Sequence, residues 1–359
     1  MTVQLLPVTG IGEVMPGADL ADLIATAAPW LVDGDILVVT SKVVSKAEGR
    51  LVEVPATPGP ERDRAYADAI AAETARVVAT RGNTRIVATH HGFVMASAGV
   101  DNSNIDSGRL VLLPKDPDAS ARSLRAALAQ RHGKRVAVVI SDTMGRPWRN
   151  GLTDVALGVA GLAPLRDHRG EVDRYGNQMQ LTQMAVADEL AAAAELLKGK
   201  VDGVPVVVVR GLPLMTEADG PGVVAETVRD ASQDLFALGT AEARAAGLRA
   251  AATLPETGPH TAGAEAAESP ADPPPDPAAV RRALAVVGPV VAPGTGLRFD
   301  PGPPAVIRAG APGADPATFI RFGADLHRLR AALAAEQVST ALRAESTPAS
   351  VELILTATT

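Results

Sequence analysis

The sequence predicts a mixed α/β fold, with antiparallel and doubly wound sheets both compatible, and three observations carry the prediction. Short β-branched runs at residues 36–40, 136–140 and 204–209 read as buried strands. Ala-rich stretches of helical length at 19–28, 118–132 and 186–197 alternate with them. Apolar residues make up 47% of the 359-residue chain but aromatics only 3%, so the core is built from Ala, Val and Leu.

Residues 3–7 are a first strand candidate, and residues 9–13 a Gly-rich turn. The helix at 19–28 puts Leu20, Leu23, Ile24 and Ala27 on one face. The strand at 36–40 then delivers Ser41, Lys42, Ser45 and Lys46, which suit an anionic group. Lys42 and Lys46 lie one helical turn apart, so a solvated helix face fits them equally well. Residues 62–81 read as a charged, Ala-rich helix and 85–89 as a strand. His90 and His91 are neighbours that would point to opposite faces of a strand, which disfavours a shared metal. The apolar run 93–97 leads to Asp101 and Asn104, oxygen donors for a ligand or the residues of an Asx turn. Residues 110–113 form a strand, and Asp118 or Ser120 caps the helix that follows.

Residues 141–150 hold the densest chemistry. A buried strand runs into Asp142 and Thr143, both able to meet a divalent cation, and then into Arg146 and Arg149. Two guanidiniums can clamp a carboxylate or phosphate bidentately, or serve in structural salt bridges. Residues 155–162 are small and apolar and suit close backbone packing, whereas 166–176 read as a charged loop. After the strand at 204–209 comes an acidic, Gly-rich segment at 215–222. Four apolar runs thus end in polar clusters, after 40, 100, 140 and 209, and their convergence on one cleft is expected. Carboxylates of Asp101, Asp142 and Glu217 would form a hard-oxygen site for Mg²⁺ or Mn²⁺. Lys46, Arg146 and Arg149 would meet phosphate or carboxylate, the layout of a nucleotide-dependent transfer.

Several classes are excluded or disfavoured. The formal charge of −7 comes without a basic block or aromatic ladder, so no nucleic-acid partner is expected. Cysteine is absent, which excludes disulfides, thiolate metal sites and a Cys nucleophile, and fits a cytoplasmic protein. Neither a signal-like N-terminus nor an apolar run of roughly 18 residues is present, so no membrane association is expected. The G-x-x-x-x-G-K-[ST] phosphate loop is also absent. Composition suggests a main domain over 1–250, a Pro/Ala-rich linker over 251–278, and a small C-terminal domain of unassigned role over 279–359.

Residues 39–50, Gly99-Val-Asp-Asn-Ser-Asn104, Ser141-Asp-Thr-Met-Gly-Arg-Pro-Trp-Arg-Asn150, residues 173–178 and residues 197–200 together resemble one family. It is that of the coenzyme F420-0:L-glutamate ligases, the γ-glutamyl ligases of the deazaflavin coenzyme, and the likeness runs from about residue 3 to 248. The resemblance implies an α+β fold with largely antiparallel sheets, an intertwined homodimer with its site near the subunit contact, and the C-terminal residues as an appendage. It implies GTP-dependent addition of L-glutamate to coenzyme F420-0 through an acyl phosphate, with extension of a γ-linked glutamyl tail. It also implies two divalent ions, Mg²⁺ or Mn²⁺, with K⁺ as an accompanying ion.

Carried over by position, the resemblance implies Asp101 and Asp142 as ligands of the first metal and Thr143 as a ligand of a second. It implies one more metal ligand in the 215–222 segment, with Glu217 as the candidate and Asp219 as its rival. Nucleotide contacts fall on Ile11, Gly12, Glu13, Val14, Ser41, Lys46 and Asn104, and on Met215, Thr216, Ala218, Asp219, Gly220, Pro221 and Gly222. Gly12 departs from the family pattern, which has Pro there. Arg146 and Arg149 remain candidate anion clamps. The C-terminal region is too short for the flavin-binding domain of two-domain relatives, so no flavin is expected. Another nucleotide-dependent carboxylate–amine ligase, a two-metal phosphoester hydrolase and a non-catalytic regulatory protein are the alternatives.

Overall fold

A computed structural model of the chain describes residues 2–102, 107–180, 182–199, 203–252, 254, 274–344 and 350–357. It divides into two compact units, Met1–Glu242 and Ala243–Thr359. The first contains β1 (Gln4–Val8), α1 (Leu20–Ala27), β2 (Ile36–Thr40), α2 (Ser41–Ala47), β3 (Leu51–Glu53) and α3 (Pro60–Ala72). Next come β4 (Thr74–Arg81), β5 (Thr84–Thr89), β6 (Val94–Ala96), β7 (Arg109–Val111), α4 (Pro117–His132) and the long hairpin β8 (Ala137–Arg146) and β9 (Arg149–Ala160). The unit continues with β10 (Arg166–Asp167), β11 (Gln183–Met184), α5 (Val186–Lys198), β12 (Val206–Arg210) and α6 (Val223–Thr227), and α7 (Thr240–Ala252) crosses into the second unit.

The main sheet has the order β1-β12-β2-β8-β9. Only β2 and β8 pair in parallel, and every other pairing is antiparallel. On one face, Ile24 of α1 and Leu124 and Leu128 of α4 pack on Leu37, Val39, Val138 and Ile140. On the other, Leu190 and Ala194 of α5 pack on Ile36, Val38, Val139 and Val207. Burial on both faces is why these strands read as continuous apolar runs rather than alternating ones. The edge strand β9 is finished by side chains: Asp118 accepts from the Val159 N–H at 2.8 Å, and Asp219 from the Gly161 N–H at 2.8 Å.

Several expectations are corrected. The helix expected over 62–81 stops at Ala72, and β4 follows. Thr74, Val77, Val78 and Thr80 favour a strand, and Gly82 at φ +57 closes the two-residue turn into β5. The α4 cap is Asp116, whose carboxylate accepts from the Ala119 N–H at 2.9 Å with Pro117 in the first turn, not Asp118 or Ser120. The polar stretch 141–150 is not a strand end: β8 runs to Arg146, because Ser141, Asp142 and Thr143 find partners across the hairpin. The charged loop at 166–176 opens on a short antiparallel pair, β10 with β11.

The second unit holds α8 (Pro277–Val287), β13 (Arg298–Asp300), β14 (Ala305–Gly310), α9 (Pro316–Ala335), β15 (Val338–Ala344) and β16 (Ser350–Ala357). Its antiparallel sheet has the order β13-β14-β16-β15. Val280, Ala283 and Val287 of α8 and Leu329 and Leu333 of α9 cover Ile307, Leu353 and Leu355. Most of the expected linker lies outside the described residues. No described helix is long and apolar enough to cross a membrane.

Candidate active site

The parallel pairing of β2 with β8 sets Thr40 opposite Ser141, so these two polar clusters do converge. The cluster after 209 does not leave the sheet with them. Because β12 runs antiparallel to β2, Arg210 lies at the opposite end, where its guanidinium pairs with the buried Asp35 at 2.7 Å.

Helix α2 starts directly at the end of β2 and carries both lysines into carboxylate contacts. Lys42 Nζ lies 2.6 Å from Asp101 Oδ2, and Lys46 Nζ lies 2.7 Å from Glu13 Oε1. The turn at 11–14 is thereby tied to α2, with Val14 buried and Ile11 packed on the core. Ser41 and Lys46 are themselves buried. Gly12 lacks a positive φ, and a Cβ there would meet nothing within 4 Å, so nothing in the fold explains its departure from Pro. Asp101 is held by a backbone bridge to Val111. Asn104 lies outside the described residues.

Asp142 is half-buried on β8. Burial is the main reason its carboxyl is pushed up to about 7; the Asp154 and Asp101 carboxylates push the same way, against the Thr143 N–H and Lys42. The Thr143 N–H donates to Asp142 Oδ1 at 2.9 Å. Asp142 is therefore short of positive charge.

Behind it lies a network that the sequence reading missed. Thr143 faces Asp154 across the hairpin and donates to its Oδ1 at 2.8 Å. Ser141 donates to Asp154 Oδ2 at 2.9 Å, and Lys198 Nζ donates to Ser141 Oγ at 2.7 Å and also to Asp154. Asp154 and Lys198 are both almost wholly buried.

The 215–222 segment is fastened to α4. Arg125 donates to the Thr216 and Glu217 carbonyls at 2.9 and 3.1 Å and to Asp219 Oδ1 at 2.8 Å. Gly222 packs so closely on Asp118 that a Cβ would sit 2.3 Å from its carboxylate oxygen, and Asp118 accepts from the Val223 N–H. Met215 bridges Leu162. Asp219 is thus occupied by the protein itself, whereas Glu217 stays exposed. No contact among the described residues joins Glu217 to Asp101 or Asp142. Arg146 and Arg149 face each other at the exposed hairpin tip, where Trp148 stands edge-on to Phe236 with ring centroids 4.9 Å apart.

No group of three or more His or acidic side chains among the described residues is arranged as a metal cage. Asp101, Asp142 and Thr143 are nevertheless all hard-oxygen donors, and the positive charge that acts on Asp142, Lys42, is already paired with Asp101. Mg²⁺ in phosphoryl-transfer sites typically takes one or two carboxylates and completes its shell with water and phosphate. On donor chemistry the residues present fit such an ion.

The F420-0:gamma-glutamyl ligase family model matches residues 10–211. The chain belongs to the F420-0:gamma-glutamyl ligase family. A coenzyme F420:L-glutamate ligase from Methanothermobacter thermautotrophicus is 43% identical over 228 residues, covering 59% of this chain and 90% of the relative. The enzymes of that name from Methanopyrus kandleri and Archaeoglobus fulgidus are 40% and 39% identical, covering 98% and 97% of the relatives and 66% of this chain. This ligase family thus accounts for the first unit, and the match to its model ends before the second begins.

Proposed function

We propose that the chain is a GTP-dependent ligase that adds L-glutamate to coenzyme F420-0 and extends a γ-linked glutamyl tail. The observation that carries this reading is the under-neutralised carboxylate Asp142, set beside Asp101 and Lys42, in a chain 43% identical to a coenzyme F420:L-glutamate ligase.

A carboxylate is a poor electrophile until one oxygen becomes a leaving group. In the proposed reaction an oxygen of the F420-0 carboxylate attacks the GTP γ-phosphorus and GDP leaves, giving an acyl phosphate. The glutamate amine then attacks the acyl carbon, phosphate leaves, and the amine proton passes to solvent. Asp101 and Asp142 would hold one divalent ion, and Thr143 and Glu217 a second. Such ions neutralise crowded phosphate and carboxylate charge and polarise the transferring phosphoryl group. Lys46 is suited to a phosphate oxygen, and Ser41 and the 11–14 turn to the rest of the nucleotide. Arg146 and Arg149 are suited to an acidic substrate, in a homodimer as the resemblance implies.

Incubation with GTP, Mn²⁺, L-glutamate and F420-0, followed by product mass, tests this. A gain of whole glutamyl units with matching GDP release is expected. GTP loss independent of glutamate would instead favour a phosphoester hydrolase, and glutamate ligation to a different carboxylate would favour another amide ligase.

A further inference from the structure

The Lys198–Asp154–Ser141 network has no part in the proposed reaction, yet it ends on Thr143. Thr143 and Asp154 are direct cross-strand partners, Ser141 lies two residues earlier on the same face of β8, and Lys198 is the last residue of α5. Asp154 is 2% exposed, Lys198 3% and Ser141 0%. A carboxylate facing an ammonium only accepts hydrogen bonds, so the Thr143 proton must point at Asp154. Toward any other neighbour the Thr143 hydroxyl can then only accept or ligate.

A buried ion pair is a costly way to join a hairpin to a helix, since apolar side chains of similar size commonly do so at least as well. Its position directly behind Thr143 therefore calls for a second role. We propose that Asp154, held by Lys198 and Ser141, is a positioning residue that fixes the Thr143 hydroxyl as an oxygen ligand for a divalent ion. This rests on the reading that Thr143 meets such an ion.

Mn²⁺ titration followed by electron paramagnetic resonance, with thermal melting of the same metal-free samples, tests it. In the double variant Asp154→Leu/Lys198→Met the fold is kept and Mn²⁺ affinity falls about 10- to 100-fold, as in Thr143→Val. Adding Thr143→Val to the double variant costs nothing further, because both changes remove the same ligand, whereas Thr143→Ser retains the affinity. Wild-type affinity in a folded double variant, or full additivity with Thr143→Val, overturns the proposal. The variant Asp154→Asn/Lys198→Met guards against misfolding, because its amide oxygen still accepts from Thr143. Affinity within about threefold of wild type is expected there, and affinity as low as that of Thr143→Val overturns the proposal. A wild-type protein that binds no Mn²⁺ overturns the underlying reading as well, which separates the two failures.

Discussion

Asp142 and Asp154 lie on facing strands of one hairpin, one residue out of register, and the protein treats them in opposite ways. Asp154 is closed in by Lys198, Ser141 and Thr143, with both oxygens engaged. Asp142 has one backbone N–H, two acidic neighbours and a lysine that already serves Asp101. A buried carboxylate that is fully matched is part of the scaffold. One left short of charge is where an external cation or a proton has most to gain. The contrast marks Asp142 as a candidate for the chemistry and Asp154 as its support.

The most damaging test of that contrast is Asp142→Ala. Glutamate-dependent GDP release should fall about 10³-fold, the scale of losing a key electrostatic group. The metal-free melting temperature should hold or rise, because a strained charge is removed. Activity near wild type would end the metal assignment, and a large loss of stability would make Asp142 scaffold like its neighbour.

A smaller effect follows from pH. The Asp142 carboxyl is raised from 3.8 to about 7, so the metal-free fold binds its proton more tightly than the unfolded chain does. Its contribution to stability is therefore full below 3.8 and is lost as pH rises toward 7. Metal-free wild type should lose melting temperature across that window relative to Asp142→Asn. Mn²⁺ competes with the same proton, so its affinity should drop by about tenfold per pH unit below 7 in wild type. Parallel melting curves for the two proteins would show that Asp142 is not the group responsible.

The sequence made parts of this legible for physical reasons. Strands buried on both faces, β2 and β12, announce themselves as unbroken apolar runs, and Asp142 stands out as an acid two residues past such a run. The direction of β12 is not written in its composition, so the cluster after 209 does not join those after 40, 100 and 140. Strand β8 looked finished at Ile140, because Ser141, Asp142 and Thr143 resemble a loop until their cross-strand partners are known. Lys198 reads as an ordinary lysine at a helix C-terminus, where it suits the dipole. Its link to Asp154 spans 44 residues and exists only in the fold. In β4 alternating Val, Ala and Arg gave neither period clearly, and tertiary pairing with β5 decided the outcome.

The matched-versus-unmatched contrast recurs on a smaller scale in the 215–222 segment. Asp219 is satisfied by Arg125 and the Gly161 N–H, while the Glu217 side chain remains exposed. The rival carboxylates of that loop are thus separated by the same criterion that separates Asp154 from Asp142. Arg125→Met removes the guanidinium that holds two loop carbonyls and Asp219 together. If the segment contacts GTP, the KM for GTP should rise about tenfold because the loop is displaced, and kcat should fall with it because Glu217 moves with the loop. Protease cleavage within 215–222 should quicken in the same variant. A kcat loss without a KM change would leave the loop its Glu217 role alone and remove it from nucleotide binding, and unchanged KM and kcat with faster cleavage would remove it from the site.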